Sequence, residues 1–269
     1  MTRLAEKFAD YAPPGGVDRA HVRRWLSQFG SRHWGLGLKL AQLILYYSTD
    51  KIHGLMTKLR AVISEQIKSE GVSEKEVYYV AFGRPGESGE DILRRFRLAN
   101  KLDPARNQFI NALEIPEILM KNPDPVLFFL DDFVGTGKQV ADGWRDPNEK
   151  SSTLNQIVPK HLRLYLAVVA GTAEGAKRIE KETSFRVILL HTIGPKRELM
   201  AAANTSLSDK EKRTLKRYCE KAGNQPLGFG DKGLLVSFAY GTPNNTLSVV
   251  RGSKKQRPWV GLLPPWGDL

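Results

Sequence analysis

Apolar residues in the first seventy positions recur every three to four residues, the period of a helix buried along one side. Asp18 stands where an N-cap belongs, Val22, Trp25, Leu26 and Phe29 follow at helical spacing, and Gly30 ends the run. The same spacing predicts a second helix over 36–47, carried by Leu36, Leu40, Leu43, Ile44 and Tyr47. A third opens at Thr49, with Ile52, Leu55, Met56, Leu59, Ile63 and Ile67 as its stripe. Residues 1–16, which end in Pro-Pro-Gly-Gly, are expected to be loosely ordered.

After Gly71 the period changes. The stretches 77–82, 126–130, 162–170 and 185–190 read as strands, and 126–130 is apolar at every position, as in a strand buried on both faces. Turns and helical patterns follow them. Ser88 and Asp91 form a capping-box pattern for a helix to about residue 101, another helix starts at Lys138, and Thr172 caps a third. A Pro- and Asn-studded segment, with at most a short helix near Leu119, leads into the run at 126. Strand, loop and helix repeated three times predict an α/β fold with a parallel doubly wound sheet, whose ligands bind beyond the C-terminal strand ends.

Beyond Gly194-Pro195 the pattern changes again. Ser208 and Glu211 make a capping box for a basic helix that stops at Gly223, and a glycine-rich turn (228–233) precedes a strand at 234–240. The expected organisation is a helical segment at 1–70, an α/β core at 71–195, and a basic α+β segment at 196–269 packed on that core. Trp259 and Trp266 in the tail read as packing anchors.

Composition narrows the class. With 41% hydrophobic and 26% charged residues in 269, the chain reads as globular. It has no apolar run near the ~18 residues of a membrane span and no secretory-type apolar core at its start, so no membrane association and a cytoplasmic location are expected. One cysteine, Cys219, rules out an internal disulfide; without a nearby His or Asp in sequence it reads as incidental. The five histidines lack metal-ligand spacing. The net charge is +12, and the stretch 196–257, with 13 basic and 5 acidic residues, carries +8 of it. Such a surface attracts phosphates, on a nucleotide or on nucleic acid.

Candidate chemistry gathers at 126–139, where VLFFL runs into Asp131 and Asp132 and then into Phe-Val-Gly135-Thr136-Gly137-Lys138-Gln139. A triphosphate-binding P-loop is excluded, because its first glycine and its Ser/Thr after the lysine are replaced by Asp132 and Gln139. A dinucleotide fingerprint is excluded too, since the acids precede the glycines. Paired acids at a strand end are also a pattern for Mg²⁺. A carboxylate pair offers acceptors for two vicinal hydroxyls, and small residues at a helix start let the backbone approach a phosphate.

The whole string resembles the ribose-phosphate signature of the type I phosphoribosyltransferases. That resemblance implies Asp131 and Asp132 at the ribose 2′- and 3′-hydroxyls, and Gly135, Thr136, Gly137, Lys138 and Gln139 around the 5′-phosphate. Gln139 departs from the Thr or Ser usual at the loop's end. The loop at 83–89 takes the place of the family's pyrophosphate loop, with Arg84, Gly86, Ser88 and Gly89 as its binding residues and Gly171-Thr172 as a third turn. Asp131, Asp132 and Arg84 are then the catalytic candidates. Mg²⁺ is the implied cofactor, held indirectly at the acids, and phosphoribosyl diphosphate or a nucleotide is the implied ligand. On the acceptor side, Thr242, Asn244 and Asn245 are candidates to read a base edge or second phosphate; an Asn-rich hairpin turn is the competing reading.

The N-terminal helices with WLSQF, the central motif and the TPNNTL segment together resemble phosphoribosyltransferase-like proteins of bacterial conflict and antiviral-defence systems, some encoded beside retron reverse transcriptases. The implied function is an effector acting on nucleotides or nucleic acid by glycosyltransferase-type chemistry. Implied partners are a reverse transcriptase with its RNA–DNA or another defence-operon protein. The alternative is an inactive sensor of the same fold that regulates a nucleic-acid-containing partner.

Overall fold

The computed structural model describes residues 1–12, 16–83, 88–145, 154–252 and 259–265. In chain order its elements begin with α1 (Thr2–Lys7), α2 (Arg19–Ser27), α3 (Trp34–Leu43), β1 (Leu45–Tyr47) and α4 (Thr49–Ser69). Next come β2 (Val77–Ala81), α5 (Ser88–Ala99), β3 (Phe109–Ile110), α6 (Ile115–Lys121) and β4 (Val126–Val134). Then follow α7 (Lys138–Arg145), α8 (Leu154–Ile157), β5 (Arg163–Thr172), α9 (Ala173–Glu182) and β6 (Arg186–Ile193). The last are α10 (Asp209–Ala222), β7 (Val236–Phe238) and α11 (Ser248–Arg251).

Two compact units divide the chain, His53–Ile193 and a second made of Met1–Ile52 with Gly194–Leu269. Residues expected to form separate N-terminal and C-terminal segments thus share one unit, and most of α4 belongs with the sheet.

In the His53–Ile193 unit, five parallel strands lie in the order β3-β2-β4-β5-β6. Strand periodicity divides their side chains between two faces. Tyr79, Phe128 and Tyr165 line one, with Phe128 and Tyr165 stacked at 4.6 Å. On that face Arg60 of α4 donates to the Tyr79 hydroxyl at 2.5 Å, Gln66 donates to Tyr165 at 3.2 Å, and Phe96 of α5 packs on Tyr79. The other face buries Val80, Leu127, Phe129, Leu164 and Leu166 against Ile115 of α6, Val140 and Trp144 of α7, and Ile179 of α9. Helices cover both faces, so the sheet is doubly wound, as in the type I phosphoribosyltransferases.

Several expectations shift at element ends. β4 does not stop before the acids; its pairing with β5 continues to Val134↔Gly171, which keeps Asp131 and Asp132 inside the strand. β3 hides in the Pro- and Asn-studded segment and pairs with β2 through two residues only. Ser88 is the first residue of α5 instead of its cap, and Asp91 pairs with Arg95 at 2.6 Å.

In the other unit, α3 ends at Leu43 and the expected helix over 36–47 gives way to β1, which pairs in parallel with β7. Lys7 fixes that ending, because its ammonium donates to the carbonyls of Ala41, Gln42 and Ile44. The first residues are ordered as α1, with Leu4, Phe8 and Tyr11 buried. Trp259 is a packing anchor: its Nε1 donates to the Val249 carbonyl, as does that of Trp25, and its ring lies edge-on to Phe29. Trp266 lies outside the described residues. No helix among the described residues is long and apolar enough to cross a membrane.

Candidate functional site

In the strand order 3-2-4-5-6 the direction of winding reverses between β2 and β4, the place where doubly wound sheets open a crevice for ligands. The two loops singled out in the sequence leave the sheet there. Phe82 N–H donates to the Leu130 carbonyl at 3.1 Å, so the two strands stay paired up to the acids. Gly89 lies so close to Phe82 that a Cβ would collide with the Phe82 carbonyl oxygen. That contact seats the start of α5 on the end of β2.

Asp131 is buried and Asp132 half-buried, because alternate residues of β4 face opposite ways. Asp131 Oδ1 accepts from the Asp132 backbone N–H at 2.8 Å and from the Ser88 hydroxyl at 3.4 Å. Burial first, and the Asp132 carboxylate second, push the Asp131 carboxyl well above the ordinary range. The sequence marks Ser88 as a helix cap and a pyrophosphate-loop residue; its bond to Asp131 carries no local signal in the sequence.

The loop after β4 is built around close backbone contacts. Gly137 sits at φ 71°, and a Cβ there would lie 2.5 Å from the Gly175 carbonyl oxygen. Gly175 faces Gly135 equally closely. Thr172 ties the pieces together: its hydroxyl donates to the Gly135 carbonyl at 2.5 Å and accepts from the Gly175 N–H at 2.9 Å, capping α9. Thr136 Oγ1 accepts from the Lys138 N–H at 3.3 Å at the start of α7. Lys138 and Gln139 are exposed, and Lys138 pairs with Asp142 one turn on. Val140, Ala141 and Trp144 bury the opposite side of α7, which fixes its N-terminus at the loop.

Asp131, Asp132, Ser88, Gly89 and the loop 135–139 are thereby brought to one end of one sheet. Arg84 and Gly86 lie outside the described residues. Thr242, Asn244 and Asn245 belong to the other unit. There Thr242 is buried and bonded to Ser237 Oγ at 2.8 Å and Tyr11 at 3.2 Å, while the buried Asn245 amide donates to the Phe229 carbonyl at 2.8 Å. Asn244 is exposed. Cys219 is buried, and its thiol is pushed up to about 12 by that burial, which leaves it unreactive.

No group of three or more metal-binding side chains occurs among the described residues. Two neighbouring carboxyls, one of them buried, do not make a protein cage. Of the two, the half-buried Asp132 is the one that could give a Mg²⁺ ion an oxygen, the rest coming from a ligand and water.

Sheet order, acid pair and glycine loop together make this a phosphoribosyltransferase-like protein in fold. More narrowly, the chain belongs to the PRTase-CE family, whose model matches residues 22–264. No curated protein matches it.

Proposed function

We infer that the chain binds phosphoribosyl diphosphate, or a related ribose 5-phosphate ligand, at the C-terminal ends of β2 and β4. One observation carries the reading: acid pair, glycine loop and helix start follow one another without a break at the winding reversal, and Ser88 of α5 is bonded into them. Asp132 accepts from the ribose hydroxyls. Asp131, whose carboxyl burial pushes up, accepts from the Asp132 backbone N–H and the Ser88 hydroxyl and so orients both. Backbone N–H groups over 135–139 hold the 5′-phosphate, whose charge the α7 dipole favours. Gln139 supplies an amide donor where the resemblance calls for a hydroxyl.

The reaction that suits such a cradle is displacement of pyrophosphate at the anomeric carbon by an incoming nucleophile. Asp132, with ligand oxygens and water, would hold Mg²⁺, which when bound supplies positive charge to the leaving pyrophosphate. The protein's own contribution is positioning of the sugar and phosphate. In its biological setting we take the protein as an antiphage-defence effector acting on nucleotides or nucleic acid, from its resemblance to conflict-system proteins. A second reading, a sensor that binds the same ligand without turnover, is favoured by the burial of Asp131, which leaves one carboxylate toward the ligand.

Pyrophosphate release measured with phosphoribosyl diphosphate and Mg²⁺ over a panel of nucleobases and tRNA distinguishes the two. Release abolished by Asp131→Asn with Asp132→Asn supports the enzyme. Saturable binding with no release across the panel supports the sensor, and neither binding nor release removes both.

A further inference from the structure

Positive charge in the unit formed by Met1–Ile52 and Gly194–Leu269 is laid out along α10. That helix buries Leu215, Cys219 and Ala222. Lys210, Arg213, Arg217 and Lys221 are all exposed, and their spacing of three, four and four puts them in one stripe about 16 Å long on the opposite side. Among the described residues none of the four has an ion-pair or hydrogen-bond partner for its side chain. A stripe of this kind is by itself an ordinary solvated face.

What borders the stripe is not ordinary. Tyr218, half-buried, flanks it, and the Lys221 ammonium lies 5.7 Å from the Tyr218 ring centroid. The Tyr218 hydroxyl donates to the Phe29 carbonyl and pairs with His33 Nδ1 at 2.8 Å. The two rings meet edge to face at 5.6 Å. This contact brings the turn at Ser31–His33 against α10, so the exposed Arg32 joins the basic surface. The next residue, Trp34, is 39% exposed, one of few large apolar side chains left in water.

We propose that this surface binds single-stranded nucleic acid, RNA or DNA: the α10 stripe and Arg32 track the phosphates while Trp34 and the edge of the Tyr218–His33 pair offer faces for unstacked bases. Cations in line with accessible aromatic rings are the combination that single strands require. A duplex or an acidic peptide uses the cations and has no use for the rings. The proposal is independent of any ligand at β4 and gives the chain a second, polymeric phosphate partner.

Fluorescence anisotropy with labelled oligo-U and oligo-dT of ~20 nucleotides tests it on the full chain, with no ribose donor present. Binding is expected at low salt, with log K falling linearly in log salt. Arg213→Glu with Arg217→Glu weakens it at least about tenfold and flattens the slope by about 1.4, two cations' worth for a single strand. Trp34→Ala weakens it at least about fivefold, the loss of one stacked base. Lys58→Glu with Lys75→Glu, exposed positions in the other unit, matches the change in net charge and is expected to cost little. The RNA and DNA arms show whether the 2′-hydroxyl matters. No binding by protein with an unchanged melting curve overturns the proposal. So does equal weakening by both charge-reversed pairs, or a duplex that binds as tightly as the single strand and is indifferent to Trp34→Ala.

Discussion

At Asp131, burial and a neighbouring like charge act in the same direction, and both favour the protonated carboxyl. The unfolded chain ionises this group near its ordinary 3.8, while the folded chain keeps the proton to a higher pH. Its contribution to stability is therefore complete below about pH 3.8 and is lost as pH rises toward the folded value. Asp131→Asn is isosteric with the neutral form. It should raise stability at pH 7, read as a gain in Tm, and by much less at pH 4. Thermal melts at the two pH values measure this, and a loss of Tm at pH 7 would mean the carboxylate is the stable form.

Thr172 carries two bonds, one to the loop and one to the start of α9. Thr172→Val removes both in an isosteric side chain, and chemical denaturation should show a cost of about 1–3 kcal/mol. Gly175→Ala should cost a similar ~1–3 kcal/mol, since its Cβ would meet Gly135 backbone. If Gly175→Ala melts like the parent, the loop is not packed on α9 as described.

At the scale of elements, what the sequence made legible depended on whether the signal was local. Asp18 caps α2, and Ser208 with Glu211 caps α10, as their spacing predicts. The Glu211 carboxyl falls to about 2, first because it accepts from the Ser208 N–H and then through Lys39. Its stabilisation is present above its ordinary pH range and fades as pH falls toward 2. Ser208→Ala should cost about 1 kcal/mol, read as a fall in Tm. An unchanged Tm would show that the first turn of α10 adds nothing to the unit's stability.

Non-local choices were not legible. Leu45, Tyr46 and Tyr47 continue a helical pattern, and only pairing with residues nearly 200 positions away makes them a strand. Likewise the acids read as following the strand, since nothing nearby signals that β5 stays paired through Val134. β3, at two residues, is too short to leave a pattern.

At the scale of the whole molecule, the winding order β3-β2-β4-β5-β6 does most to define the candidate site, because it brings the acid pair and two helix starts to the strand ends at the reversal, where doubly wound sheets bind ligands. Three strand–loop–helix repeats made the sheet legible, and the 126–139 string marked the ligand end. The company each segment keeps was not: the first 52 residues join the last 76 through Trp25, His21 and the Trp259 tail, contacts with no sequence period. Calorimetric titration of the full chain with phosphoribosyl diphosphate and Mg²⁺, beside the Asp132→Asn variant, tests the central claim most directly. The account predicts saturable heat for the parent and binding at least about tenfold weaker, the loss of about 1.4 kcal/mol, for the variant. No heat from folded parent protein, or the same affinity in Asp132→Asn, would contradict it.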